Sequence, residues 1–275
     1  MSVRKAAMIL YRCCWIAFVV LVLVSVIADP LVPYGVTFVP AAAAIVIGLL
    51  VNRRGGADPS GSRPAVEVGP PVTGRWTALN SPADKVPSHG THGYGQTYAI
   101  DVVAEPVGGG RPPFRWLWPV ARPNRDFPAF DAPVLAVADA TVVHASGGQR
   151  DHLSRNSGPA LAYLMLAEAS VRDMAGARRM VGNHIVLDLG EGTYAAYAHL
   201  RRGSLQVGAG DTVREGQVLA RCGNSGNSTE PHVHFQLMDH PDLDVARGIP
   251  FTWRGVGVPA GGEAFVAGEA VGTDW

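Results

Sequence analysis

The chain has 275 residues, of which 47% are hydrophobic, and its 23 basic and 23 acidic side chains give a formal net charge of zero. This length and composition suffice for one substantial core with accessory segments. The balanced charge provides no basic excess for nucleic acid, so no nucleic-acid partner is predicted. Cys13 and Cys14 are adjacent and Cys222 stands alone, which excludes a disulfide framework and a cysteine zinc site. Any metal ion must therefore be held by nitrogen and oxygen.

Two uncharged apolar runs, residues 13–28 and 31–51, lie near the N-terminus. The second run reaches the roughly 20 residues that cross a bilayer, and the first reaches it if Arg12 extends to the interface. A second long run and the lack of a small-residue cleavage site favour a retained anchor over a signal peptide. We predict a membrane anchor over residues 1–54, made of one or two transmembrane helices, and hence a membrane as a partner.

The remainder of the chain begins with a segment rich in Gly, Pro and Ser, which we interpret as a linker over residues 55–70. Short β-like segments separated by glycine turns then predict a mainly β fold class, an antiparallel sheet in a domain spanning residues 71–258. Helical periodicity of apolar residues over 159–180 predicts one helix inserted in this sheet. Residues 259–275 are expected to form a flexible tail.

The stretch NSTEPHVHFQL, residues 227–237, has the alternation of a strand with two different faces. His232 and His234 are two positions apart and should project from one face, together with Gln236, while the apolar residues between them pack into a core. One face of this strand is therefore available for chemistry.

Other polar groups are expected to converge on the same groove. Asp101 lies in the apolar setting YAIDVV, where an unpaired buried carboxylate is costly and a cation would remove the cost. His89 and His92 precede Asp101, and His199 ends a further β-like segment. We read His144, His152, His184 and His240 as structural or surface histidines.

The succession of a histidine before YAID, then GNHIVLDLG, YAAYAHL and VGAGDTVREGQVLARCGNSGNSTEPHVHF resembles the lysostaphin-type zinc endopeptidases, which cut peptide bonds in bacterial peptidoglycan. The resemblance covers roughly residues 86–239. It implies a zinc-peptidase domain, Zn²⁺ as cofactor and a peptidoglycan peptide as substrate. Carried over by position, it implies the metal ligands His92, Asp101 and His234 and the catalytic residues His199 and His232.

The physical chemistry of a catalytic zinc agrees with these roles. Three protein ligands leave one tetrahedral position for a water, whose pKa the metal lowers to about 7. His232 shares its strand face with the ligand His234 and is placed to take a proton from that water or to hydrogen-bond to it. His199 can stabilise the tetrahedral intermediate or pass a proton to the leaving amine.

The chain departs from the common family pattern in two places. His92 precedes Asp101 by nine residues, whereas the common form has four, so the first ligand stays open between His92 and His89. Glu230 stands where the family often has glycine, and the helical insertion is expected along a groove wall. Glu230 and the insertion suggest an unusual substrate preference.

The alternative function is a non-catalytic, membrane-anchored wall-binding or regulatory module on the same fold. It is less favoured because all five groups of the site are present. A biotinyl or lipoyl carrier is excluded because neither lysine, Lys5 or Lys85, lies on a hairpin turn in the relevant region. Whether an activating protein partner opens the groove is not encoded in any motif.

The location of the domain rests on two opposing considerations. Basic residues flank both apolar runs on their outer sides, and with two full spans the positive-inside tendency would return the chain to the cytoplasm. Peptidoglycan lies outside the cytoplasmic membrane, which requires an odd number of crossings or a second run that enters without crossing. We give the location of the substrate more weight than the positive-inside tendency, and expect a cell-membrane protein with an extracytoplasmic catalytic domain.

Overall fold

The computed structural model describes residues 3–27, 33–56, 63–105 and 110–268. Its N-terminal region consists of three helices, α1 (Val3–Ile27), α2 (Tyr34–Thr37) and α3 (Val39–Gly56). Gly48 lies against the ring of Tyr11, and the ring of Phe18 lies 5.7 Å from that of Phe38, so α1 and α3 form an antiparallel hairpin. Two segments are long and apolar enough to cross a bilayer: Lys5–Ile27 within α1, and Tyr34–Asn52, which runs through α2 and most of α3.

The rest of the described chain is dominated by β structure. The strands are β1 (Val66–Val68), β2 (Gly74–Asn80), β3 (Ile100–Ala104), β4 (Pro133–Leu135), β5 (Ala140–Ser146), β6 (Asn183–Asp188), β7 (Tyr194–Leu200), β8 (Thr212–Val213), β9 (Val218–Arg221), β10 (Val233–Met238), β11 (Gly248–Ile249), β12 (Phe251–Trp253) and β13 (Ala264–Ala267). Short 3₁₀ helices span Gly93–Tyr98 and Asn124–Asp126.

One large antiparallel sheet organises the domain. Its strand order is β13-β2-β3-β10-β7-β6-β5-β8, and β11 pairs with β10. Two smaller sheets, β4-β9 and the parallel pair β1-β12, accompany it. The mainly β fold class with an antiparallel sheet, predicted from the sequence, is confirmed.

The two faces of β10 differ as the alternation of its residues predicts. Val233, Phe235 and Leu237 are at most 1% exposed and join the main core, in which the ring of Phe235 packs against Tyr197 at 5.5 Å. Burial of each such side chain is worth about 1.5–3 kcal/mol. These contacts hold the central strands rigidly, so the polar residues of the opposite face keep defined positions.

The insertion is not the single helix that the periodicity predicts. It consists of α4 (Gly158–Tyr163), a π turn (Leu164–Glu168), α5 (Ala169–Met174) and α6 (Ala177–Val181). Gly176 separates the last two helices at φ 104°, a conformation that favours glycine and ends the first helical stretch. The apolar spacing could not reveal this break because it continues across Gly176.

Two predicted boundaries also differ from the structure. The expected tail 259–275 is not a tail in its described part, because β13 pairs with β2 and Phe265 is buried. The expected linker 55–70 contains β1, which pairs with β12, and its first two residues end α3. β1 and β13 are too short to be recognised from the sequence, and each forms by pairing with a strand that is distant along the chain. The remainder of these two segments lies outside the described residues.

Candidate metal centre

The centre of the site lies where β3 and β10 pair. His234 is directly opposite Asp101 in the antiparallel register, and its Nδ1 lies 2.8 Å from Asp101 Oδ1. The loop before β3 brings His89 to the same carboxylate, with Nε2 at 2.9 Å from Oδ2. Asn80 of β2 donates from Nδ2 to Oδ2 at 2.8 Å. Three neighbouring segments therefore converge on one buried carboxylate.

His92 does not join this cluster. Its Nδ1 lies 3.0 Å from Thr97 Oγ1, and its backbone N–H donates to Asn52 Oδ1 of α3. The placement therefore disagrees with the ligand role implied by the family resemblance and agrees with the alternative, His89. The loop between His89 and β3 winds through a 3₁₀ turn in which Tyr94 has φ 57°, so spacing along the sequence is a poor guide to which histidine faces the carboxylate.

His199 reaches the site through a local irregularity of β7. Strict alternation would direct His199 toward the main core, as it directs Tyr197. The pairing of β6 with β7 shifts register between Asn183 and Ile185, and His199 adopts φ 59°, in the left-handed region. Bulges of this kind re-aim side chains beside functional sites. The ring of His199 consequently lies 4.9 Å from that of His232 and 5.6 Å from that of His234, between ring centroids.

The two histidines expected to act in catalysis are oriented by backbone carbonyls. His199 Nδ1 lies 2.8 Å from the carbonyl oxygen of Ser225, and His232 Nδ1 lies 2.7 Å from that of Glu230. A carbonyl accepts and cannot donate, so each Nδ1 carries a proton. The Nε2 atom of each neutral ring is then left with a lone pair.

The pKa values of this pair shift in opposite directions. Burial, together with the neighbouring rings of His232 and His234, holds the pKa of His199 well below its ordinary value of 6.5. Burial also acts to lower the pKa of His232. The negative charge of Asp101, the hydrogen bond between His232 and Asp101, and the hydrogen bond to the Glu230 carbonyl together outweigh burial and raise the pKa of His232. His199 is therefore neutral at neutral pH.

Hydrogen-bond partners on the side away from Asp101 determine which nitrogen of His89 and of His234 carries a proton. Ser88 Oγ donates to the Ala99 carbonyl at 2.6 Å, so it accepts from His89 Nδ1 at 3.0 Å. Gln236 Nε2 donates to the Tyr94 carbonyl at 2.8 Å, which turns Oε1 toward His234 Nε2 at 3.1 Å. His89 Nδ1 and His234 Nε2, the ring nitrogens that face away from Asp101, are thus both hydrogen-bond donors.

This arrangement directs two ring nitrogens at one carboxylate. His89 Nε2 and His234 Nδ1 face Asp101, and in the neutral form of each ring, with the opposite nitrogen protonated, the facing nitrogen has a lone pair and no proton. Burial acts to raise the pKa of Asp101, but His89, His232 and His234 hold it well below its ordinary range, so the carboxylate is ionised. Such a contact is stable only if the rings are protonated or a cation lies among the three groups.

The donor set fits a metal ion. Among the described residues, one donor atom each from His89, Asp101 and His234 lies within 4.8 Å of the others, and the same is true of His199, His232 and His234. The first group includes the carboxylate, and its two histidines have the outer partners typical of metal ligands. Two histidines and one carboxylate form a known ligand set of catalytic zinc, with one open position.

Sequence reasoning missed the supporting residues Ser88 and Gln236. The two-residue period of β10 places Gln236 on the face of His232 and His234, which is the only signal that the sequence carried. Glu230, noted as unusual, is 1% exposed; its carboxylate pairs with Arg111 at 2.5 Å and accepts from Asn156 Nδ2 at 2.8 Å. It therefore ties the start of the insertion to the loop that orients His232.

Fold and site together define the class of protein: an antiparallel β domain with a candidate histidine–aspartate metal centre. The model of peptidase family M23 matches residues 126–244, which include His199, His232 and His234, whereas His89 and Asp101 precede the matched segment. This part of the chain is therefore similar to the M23 peptidases, the family to which the sequence motifs also point.

Two curated proteins and one solved structure are similar to parts of this chain. Glycyl-glycine endopeptidase ALE-1 of Staphylococcus capitis is 41% identical over 58 residues, 21% of this chain and 16% of that protein. Lysostaphin of Staphylococcus staphylolyticus is 41% identical over 58 residues, 21% of this chain and 12% of that protein. The crystallised catalytic domain of lysostaphin from Staphylococcus simulans is 22% identical, covering 50% of this chain and 86% of that one, with a TM-score of 0.29. The chain thus spans only a small part of the length of these curated relatives.

Proposed function

We propose that this protein is a zinc-dependent endopeptidase that hydrolyses peptide bonds of bacterial peptidoglycan. One observation carries the proposal: His89 Nε2 and His234 Nδ1 lie 2.9 and 2.8 Å from the buried carboxylate of Asp101. Two further histidines, His199 and His232, lie beside this cluster with Nδ1 held by backbone carbonyls. The match of residues 126–244 to the model of peptidase family M23 supports the peptidase chemistry. The resemblance to lysostaphin-type enzymes supports the wall peptide as substrate.

We assign the metal ligands as His89 through Nε2, Asp101 through its carboxylate and His234 through Nδ1. When bound there, zinc supplies a Lewis acid that polarises the scissile carbonyl and acidifies a water. His89 Nδ1 and His234 Nε2 donate to Ser88 Oγ and Gln236 Oε1, so the other nitrogen of each ring, the one that faces Asp101, is the one available to a metal. Buried strands on both sides hold these donors in place before any ligand arrives.

His232 serves as the group that takes a proton from the attacking water. In the metal-free chain the Asp101 carboxylate, 3.4 Å from His232 Nε2, favours the protonated ring. Pairing of this carboxylate with a cation removes much of that effect, so Nε2 of His232 becomes an acceptor. The Glu230 carbonyl fixes Nδ1–H throughout and keeps Nε2 directed into the site.

His199 serves as the second polar group beside the reacting carbonyl. Its Nδ1–H is held by Ser225, so only Nε2 can exchange a proton with the substrate. The ring is neutral at rest and can donate to the leaving amine only after it has gained a proton during the reaction. The left-handed backbone at His199 maintains this orientation at a cost in conformational energy.

The two apolar helices serve as a membrane anchor. Both ends of the hairpin contact the β domain: Arg12 pairs with Asp244 at 2.5 Å, and Asn52 accepts from the backbone of His92. The start of the hairpin and the β domain therefore lie on the same side of a bilayer that the hairpin spans. We propose that this side is extracytoplasmic, because the substrate is there.

The test of the proposed activity uses the full chain purified in detergent. Zinc content is measured by mass spectrometry, and peptidoglycan is digested with wild type, with the chelated protein and with His232→Ala, followed by mass spectrometry of the products. We expect one zinc per chain and new peptide termini from wild type alone. Zinc without cleavage would instead favour the wall-binding or regulatory alternative.

Location is tested separately with reporters fused after Trp275. One reporter is active only outside the cytoplasmic membrane and the other only inside. Activity of the external reporter is expected. Activity confined to the internal reporter would contradict both the location and the wall substrate, and leave a zinc peptidase with a cytoplasmic target.

A further inference from the structure

A basic cavity of about 700 Å³ lies between the inserted helices and the loop that follows β5. Four arginines line it, and no acidic residue is among the lining side chains in the described part of the chain. The arginines are Arg150, Arg155, Arg172 and Arg179. This concentration of positive charge has no role in the site described above.

The positive charge of the cavity is only partly compensated. Arg155 contacts both carboxylate oxygens of Glu168 at 2.8 Å, and Arg172 Nη2 contacts the same group at 3.2 Å. One glutamate thus pairs with two arginines, and Arg172 Nη1 is buried with no hydrogen-bond partner among the described residues. The side chains of Arg150 and Arg179 make no ion pair or side-chain hydrogen bond to any described residue. Three positive charges are left over around one cavity.

The wall of the cavity includes a residue adjacent to one that orients His199. Gly226 forms part of its wall, and the Gly226 carbonyl lies 2.9 Å from His152 Nε2. Its neighbour Ser225 provides the carbonyl that orients His199. A ligand in the cavity therefore lies beside the same loop that positions the reacting groups.

The cavity is on the side of the insertion that faces away from the membrane anchor. Ala169, Ser170, Asp173 and Met174 share a crevice with α1, whereas Val171, Arg172 and Ala175 face the cavity. Helical geometry puts these two sets on opposite faces. A lipid headgroup beside α1 would meet the first face, so the second is better suited to a soluble or wall-attached anion.

We propose that this cavity binds a free carboxylate of the peptide that occupies the catalytic groove, and so selects acidic wall peptides. The inference rests on the proposed peptidase function and adds its substrate class. Guanidinium groups match the planar carboxylate with two parallel hydrogen bonds, which gives both affinity and orientation. Arg150 and Arg179, whose side chains have no ion-pair or hydrogen-bond partner among the described residues, are the groups that take the ligand.

The test compares soluble cross-linked muropeptides with the same peptides after their carboxylates are amidated with ammonia and carbodiimide. The full chain in detergent is used as wild type, Arg150→Gln, Arg179→Gln and the control Arg214→Gln, which replaces an exposed arginine between β8 and β9. Cleavage is measured as kcat/KM, and binding is measured independently by calorimetry. Each measurement is repeated with phosphatidylglycerol added to the micelles.

We expect wild type and the control to prefer the free carboxylates by roughly tenfold or more in kcat/KM and in affinity, from two charge-assisted contacts. Each cavity variant should lose most of this preference, because its kcat/KM and its affinity for the free carboxylates fall toward the values for the amidated peptides. Equal preference in all four proteins would overturn the proposal. Loss of the preference on adding phosphatidylglycerol would assign the cavity to a lipid phosphate and also overturn it.

Failure of the peptidase function has a different signature. Wild type would then cleave neither peptide set, whereas calorimetry would still report whether the free carboxylates bind better than the amides. A preference in binding that depends on Arg150 and Arg179 supports the anionic site without cleavage. Binding without any such preference overturns it, whatever the activity.

Discussion

Gln236 offers the sharpest test of how the metal centre is built. It is 1% exposed and lies on β10, two residues after His234. Its amide is locked, because Nε2 donates to the Tyr94 carbonyl and Oε1 then accepts from His234 Nε2. Replacing Gln236 by Met keeps the size of the side chain but removes the acceptor. His234 can then protonate Nδ1 instead, which is the atom assigned to the metal.

The expected size of the effect follows from the role of such outer partners. Loss of an outer hydrogen bond to a metal-ligating histidine typically lowers metal affinity by about 10–100-fold, or about 1.4–2.7 kcal/mol. We therefore expect Gln236→Met to weaken zinc binding by this factor. The affinity is measured by competition with a chromophoric zinc chelator in detergent.

The control is Gln217→Met, which replaces an exposed glutamine in the turn before β9, remote from the metal centre. Its zinc affinity should equal that of wild type. Thermal unfolding of the metal-free proteins shows separately whether Gln236→Met has damaged the fold. An intact metal-free protein with unchanged zinc affinity would refute the assignment of His234 Nδ1 as a ligand atom oriented by Gln236.

Three further predictions address the remaining residues. His89→Ala should release zinc and His92→Ala should retain most of it, as measured by metal content; the opposite result would return the ligand role to His92. His234→Ala and Asp101→Ala should lose both zinc and turnover, whereas His199→Ala and His232→Ala should keep the metal and lose about 100-fold or more in kcat; loss of zinc from His232→Ala alone would reverse the division of roles. Burial lowers the pKa of His184 from 6.5 to about 4, so its stabilising contribution is present above pH 6.5 and is lost as the pH falls toward 4, about 2 kcal/mol between pH 7 and pH 5. His184→Asn should show a correspondingly smaller fall in unfolding free energy over that interval, and an equal fall in both proteins would contradict the assignment.

Much of the site could be predicted from local sequence patterns. A strand alternates its side chains with a period of two, so the order of His232, Val233 and His234 already separates a core face from a polar face. The cost of a buried carboxylate likewise marked Asp101 as a residue that needs a cationic partner. Charge-free runs of sufficient length marked the two apolar helices. Each of these inferences depends on residues that are close together in the chain.

Features that depend on distant segments required the tertiary structure. The choice between His89 and His92 is made by the path of the loop before β3 and by Ser88, which orients His89. His199 reaches the site because β7 is irregular where it pairs with β6, a property of two strands and not of one.

Dependence on distant segments also explains why the sequence did not reveal the strands in the predicted linker and tail, or the basic cavity. β1 and β13 form by pairing with strands far along the chain. The four arginines of the basic cavity come from two separate stretches, and no periodicity relates them. Sequence alone determined which residues have reactive side chains and which face of a strand they occupy, because those properties are local. Tertiary structure decided which of them meet, because convergence depends on the packing of the whole sheet.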